Sequence, residues 1–68
     1  MRYVEVRRLS SYFFAIELDG EVKGSAEYLS AQELWEVRFY WKEDWEYIAP
    51  ARFDTLDQCI AYAEMVLP

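Results

Sequence analysis

The chain has 68 residues, a mass of 8.2 kDa and a net charge of −6, and its 54% apolar and 29% charged residues are the proportions of one small folded domain, not of a disordered tail. It contains no histidine, which removes the commonest acid–base group near neutral pH, the commonest metal ligand, and with them Ser-His-Asp and Cys-His catalysis. One cysteine and two glycines rule out an internal disulfide, a zinc site built on several thiolates, and a glycine-rich phosphate loop.

The opening MRYVEVRRLS interrupts every short apolar run with charge and is no signal peptide, and the longest apolar run, Tyr12–Ile16, is far short of a membrane span. The expected location is the cytoplasm, and a lone Cys59 fits a reducing compartment. Residues 2–9 alternate, with Val4 and Val6 on one face and Tyr3, Glu5 and Arg7 on the other, which predicts a half-buried strand. Leu9-Ser10-Ser11 predicts a turn, and 12–18 a second strand with Tyr12, Phe14, Ile16 and Leu18 sharing a face. Asp19-Gly20 marks a hairpin. A two-residue turn would set Leu18 opposite Glu21 and Ile16 opposite Lys23, apolar against charged. A three-residue loop, Leu18-Asp19-Gly20, sets Ile16 against Val22, Phe14 against Gly24 and Tyr12 against Ala26, and is the expected register. The third strand, 21–28, then turns small Val22, Gly24 and Ala26 inward, leaving room for the Phe14 ring over Gly24.

Residues 29–33 leave two readings open, because Ser30-x-x-Glu33 also fits the capping box of a single helical turn. Residues 34–41 predict a fourth strand, with Trp35, Val37, Phe39 and Trp41 on one face and Leu34, Glu36, Arg38 and Tyr40 on the other. After the polar Lys42-Glu43-Asp44 loop, 45–49 reads as a fifth strand. It would pair Trp41 with Trp45, Phe39 with Tyr47 and Val37 with Ala49, and end at Pro50. A helix capped by Asp54 or Thr55 follows, its apolar stripe formed by Leu56, Cys59, Ile60, Ala63 and Leu67, with Cys59 as a small buried residue. The expected fold is α+β: an antiparallel sheet of four to five strands with one C-terminal helix on one face.

A helix of about 13 residues is roughly 20 Å long and covers one face of such a sheet. Phe14, Ile16, Val22, Val37 and Phe39 are expected beneath it, which leaves Tyr3, Phe13, Leu34, Tyr40 and Ile48 on the other face. Two explanations stay open for that surplus: an interaction surface, or a curved sheet closing on a second small core.

Charge is unevenly spread. Residues 1–10 carry +2, whereas 17–46 hold nine acids (Glu17, Asp19, Glu21, Glu27, Glu33, Glu36, Glu43, Asp44, Glu46) against Lys23, Arg38 and Lys42. That balance argues against direct nucleic-acid binding and gives no membrane-binding feature. It points to a protein partner with a basic groove, where carboxylates would take the place of phosphates, or simply to a solvated surface. Paired-carboxylate hydrolysis needs a cleft that so small a chain can hardly build, and Glu43-Asp44-x-Glu46 lacks the oxygen count and glycine of a calcium loop. The reading is therefore of a non-enzymatic binding module without cofactor or metal. Its candidate partner-binding residues are Glu36, Tyr40, Trp41, Glu43, Asp44, Trp45 and Glu46, the aromatics as anchors and the acids facing Lys or Arg. The alternative is an assembly protein that homodimerises through an aromatic sheet face.

Trp35, Arg38, Phe53, Asp54, Thr55, Ala61, Tyr62 and Ala63, within 34–67, make the C-terminal half similar to AP2-type and integrase arm-type domains. In those, a Trp-bearing sheet, a Phe-Asp-Thr turn and an Ala/Tyr-rich helix follow one another. The resemblance implies a sheet-plus-helix architecture; those domains read DNA with a basic sheet face, where this chain carries Glu36, Glu43, Asp44 and Glu46. In size, acidity, aromatic surplus and lack of catalytic residues, the whole chain resembles phage-encoded inhibitors of host defence such as anti-CRISPR proteins. That resemblance implies an inhibitor of a nucleic-acid-handling complex.

Overall fold

A computed structural model describes residues 4–40 and 49–67. Alternating polar and apolar segments form strands β1 (Val4–Ser10), β2 (Phe13–Leu18), β3 (Glu21–Leu29), β4 (Leu34–Phe39) and β5 (Ala51–Phe53), followed by helix α1 (Leu56–Val66). The strands lie side by side in chain order, β1-β2-β3-β4-β5, and each neighbouring pair is antiparallel. The arrangement is α+β, a five-stranded meander with one C-terminal helix.

The β2–β3 hairpin corrects the expected register. Asp19 (φ 53°) and Gly20 (φ 82°) are both left-handed, the backbone of a tight two-residue turn, so Leu18 does face Glu21. A bulge between Ile16 and Glu17 then absorbs one residue of β3. Glu17 faces Val22, but Ile16 faces Gly24 and Phe14 faces Ala26. Ile16 thus avoids Lys23 through an extra residue in the strand, not a longer loop, while the Leu18–Glu21 opposition remains. As a consequence Val22 shares the face of Glu17 and does not join the core beneath the helix.

Gly24 makes room for a different ring from the one expected. Its cross-strand partner on β4 is Phe39, and a Cβ at position 24 would run into the Arg38 carbonyl oxygen and come within 3.0 Å of Phe39 Cα. Residues 30–33 form a hairpin turn and not a helical one: Gln32 N–H donates to the Leu29 carbonyl at 3.2 Å, Glu33 is left-handed (φ 57°), and Leu29 faces Leu34.

The last strand is also displaced from its expected place. Of 45–49 only Ala49 falls within the described residues, and it is exposed and outside any strand. β5 begins after Pro50, so Val37 pairs with Ala51 and not with Ala49. Proline is compatible with the start of an edge strand, where its missing N–H costs no ladder bond. Trp41, Trp45 and Tyr47, and the pairs expected of them, lie outside the described residues.

Thr55 caps α1 through a reciprocal box. Its Oγ1 accepts from Gln58 N–H at 3.2 Å, and Gln58 Oε1 accepts from Thr55 N–H at 3.1 Å. Cys59, Ala63 and Leu67 are buried against Ile16, Leu18, Ala26, Val37 and Phe39. The stripe is rotated from the expected one: Ile60 lies outside the core cluster, while Tyr62 joins it, its ring 6.1 Å from Phe39 and 5.2 Å from Phe53. Among the described residues, no helix is long and apolar enough to cross a membrane.

Candidate functional site

The helix lies chiefly against β1, β4 and β5. At about 1.5 Å per residue its 11 residues span roughly 16 Å, too short to roof the whole sheet face. A corner is left open where β2 begins and β3 ends. There Tyr28 N–H donates to the Tyr12 carbonyl at 2.9 Å, extending the β2–β3 ladder by one rung and pairing the two side chains across it. Their rings stack at 5.7 Å, and Tyr28 in turn lies 5.4 Å from Trp35, which lies 5.8 Å from Phe14. Tyr12 is 62% exposed, so this aromatic ledge runs from solvent at Tyr12 into the margin of the core at Trp35. Tyr12, Tyr28 and Ser30 line an open groove of about 240 Å³ beside it. Around Tyr12 the loop is braced by two hydroxyls: Ser10 Oγ accepts from Tyr12 N–H at 3.2 Å, and Ser11 Oγ from Arg8 Nη2 at 3.0 Å. A braced, partly buried aromatic pair loses little rotamer freedom when something docks on it, the property that makes Tyr and Trp effective contact residues.

Among the described residues the opposite face of the sheet carries no helix, yet Ala15, Ser25 and Glu36 on it are buried. Glu36 is held there by two arginines. Arg38 Nε donates to Glu36 Oε1 at 2.6 Å, and Arg52 Nε donates to Oε2 at 3.0 Å across β4 and β5. Arg38 hydrogen bonding, then that of Arg52, holds the Glu36 carboxyl below its usual range against the opposing effect of burial. Arg7 Nε reaches Glu17 at 3.2 Å on the same face. Phe13 and Leu34 are half-buried there and Tyr40 is exposed, so this face is an ion-paired lattice with a few apolar members.

Of the residues selected from sequence, Glu36 and Tyr40 are described, four residues apart, Glu36 on β4 and Tyr40 just past its end. Glu36 is a buried, doubly ion-paired strut that presents no free carboxylate. Tyr40 is 48% exposed and anchored by its backbone, its N–H donating to the Lys23 carbonyl at 2.7 Å. Trp41, Glu43, Asp44, Trp45 and Glu46 lie outside the described residues, as do Tyr3 and Ile48 of the surplus aromatic set. Alternation alone passes over the Tyr12–Tyr28 ledge, because it puts both residues on the helix-facing side. The signal that could have found it is the mismatch between one short helix and five strands.

Cys59 is fully buried, and burial pushes its thiol up to about 11, far from the thiolate that nucleophilic chemistry needs. No three carboxylates or thiols converge on a metal-binding position among the described residues. Comparison with family models, curated proteins and solved structures gives no match for this chain.

Proposed function

We propose that this chain is a small acidic protein-binding module that inhibits a larger, nucleic-acid-handling partner by occupying a basic groove. The observation that carries the binding half is the Tyr12–Tyr28 ledge: a stacked aromatic pair, open to solvent and backed by Trp35, on a sheet corner the helix does not reach. The electrostatic half is supported by the surface. Among the described residues eight carboxylates are exposed (Glu5, Asp19, Glu21, Glu27, Glu33, Asp54, Asp57, Glu64) against four exposed arginines, and the sequence adds Glu43, Asp44 and Glu46 in one short stretch. Such a field speeds encounter with a basic surface and rejects acidic ones. Tyr40, Trp41 and Trp45 stand beside those acids in sequence as further anchors.

The test is capture of a partner by the tagged chain, with salt and duplex DNA as competing eluents, followed by affinity measurements on two variants. Tyr12→Ala should weaken binding by about tenfold or more at unchanged salt dependence, as expected for loss of an aromatic anchor. Glu43→Gln, Asp44→Asn and Glu46→Gln together should weaken it at low salt and flatten its salt dependence. A captured protein that DNA does not displace, and whose affinity neither variant changes, would refute the proposal.

A further inference from the structure

Independently of any larger partner, we propose that β1 pairs edge to edge with β1 of a second copy of this chain, antiparallel and centred on Val6, making two five-stranded sheets continuous. Among the described residues β1 is an end strand of the sheet, and its regular pairing with β2 runs from Val4 to Arg8, where a bulge at Leu9 interrupts it. The regular stretch is five residues long and Val6 is its middle. Val4 and Val6 are only half-buried, although their β2 partners Leu18 and Ile16 are buried, so the core is open on this side among the described residues.

Charge order selects the register. A twofold axis through the sheet keeps every residue on its own face, so each residue must oppose one of equal parity, and the axis must pass through a residue position. Centred on Glu5, Arg7 or Arg8, the pairing sets like charges directly against each other, and centred on Val4 it leaves Val4 alone paired within the strand. Centred on Val6, it sets Val6 against Val6 on the helix side and Glu5 against Arg7 twice on the other face. Val4 then meets Arg8, whose aliphatic stem can lie over it. Within one copy, Glu5 faces Glu17 across β1–β2, and among the described residues it has no ion pair. Arg7 reaches Glu17 but remains 64% exposed at its side chain, with donors left for a second carboxylate. Charges on an edge strand ordinarily block this kind of pairing, but the order Glu-Val-Arg is self-complementary and invites it.

The experiment is sedimentation velocity on the full chain, on Glu5→Arg, on Arg7→Glu, and on an equimolar mixture of the two variants. The wild type should form dimers. Each variant alone places like charges at both contacts and should raise the dimer dissociation constant about tenfold or more. The mixture should recover a one-to-one heterodimer, because the E5R chain then offers arginine at both contact positions and the R7E chain offers glutamate at both. A wild type that stays monomeric at its highest soluble concentration overturns the proposal, as does a dimer that both variants leave unchanged. Should a variant fail to fold, amide exchange on the unaltered chain decides. Protection within residues 4–8 should rise with protein concentration, and concentration-independent exchange there overturns the proposal.

Discussion

Replacing Glu36 by Gln keeps its shape and removes the charge on which two arginines converge. Charge-assisted hydrogen bonds of 2.6 and 3.0 Å are lost or weakened at a carboxylate whose side chain is 7% exposed. Bonds to charged groups contribute roughly 1.5–3 kcal/mol when shielded. Arg38 and Arg52 are 63% and 52% exposed, so water screens much of that contribution, and Glu27, directly opposite Glu36, gains a few tenths of a kcal/mol from the loss of a like charge. The net expectation is a destabilisation of about 1–2 kcal/mol, or a fall in Tm of roughly 5–15 °C for a domain of this size. The sign of the pH dependence follows from linkage. The folded Glu36 carboxyl lies below its ordinary value of 4.5, so the unfolded chain takes up the proton first as pH falls. The contribution is fully present above that value and is lost as pH drops through the folded one. Urea or thermal melts of wild type and E36Q across this range should show a gap at pH 7 that closes on the acid side. No gap at pH 7, or a gap of constant size down to strong acid, would refute the assignment of Glu36 as an ion-paired strut.

Gly24→Ala should destabilise the fold by about 1–3 kcal/mol, because the new methyl meets the β4 backbone and outweighs the usual unfolded-state gain of roughly 0.4–1 kcal/mol; an unchanged denaturation midpoint would show that the β3–β4 approach is looser than described. Thr55→Ala removes one half of the capping box and should cost about 1 kcal/mol, read as a lower urea midpoint at unchanged slope. The Cys59 thiol should resist disulfide reagents in the native protein at mildly alkaline pH and react at the normal thiol rate in denaturant; rapid native labelling would contradict its burial.

Strand alternation and the helical stripe make the order of elements and the α+β arrangement legible, since both periodicities are local. Where sequence and structure part, a non-local choice decides. Ile16 can avoid Lys23 either through a longer turn or through a bulge, and the alternation pattern cannot distinguish an extra residue in the loop from one in the strand. Pro50 is compatible with the end of one strand or the start of the next, and the three-residue β5 is too short for its own period to decide. Glu36 reads as a surface acid because the arginine that covers it across the sheet, Arg52, comes from 16 residues away. The exposure of Tyr12 depends on where the helix stops over the sheet, which neither segment encodes alone.

The meander sets the order in which this molecule can assemble. Each strand pairs with its immediate predecessor or successor along the chain, so the first three hairpins close short loops and can form as the chain emerges from a ribosome. Their shared apolar face, however, is covered by Cys59, Ala63 and Leu67, and α1 is the element that returns from the sequence end to reach β1. Until α1 has followed the strands out, a nascent sheet presents Ile16, Val37 and Phe39 to water, and it becomes a finished two-layer core only when α1 docks.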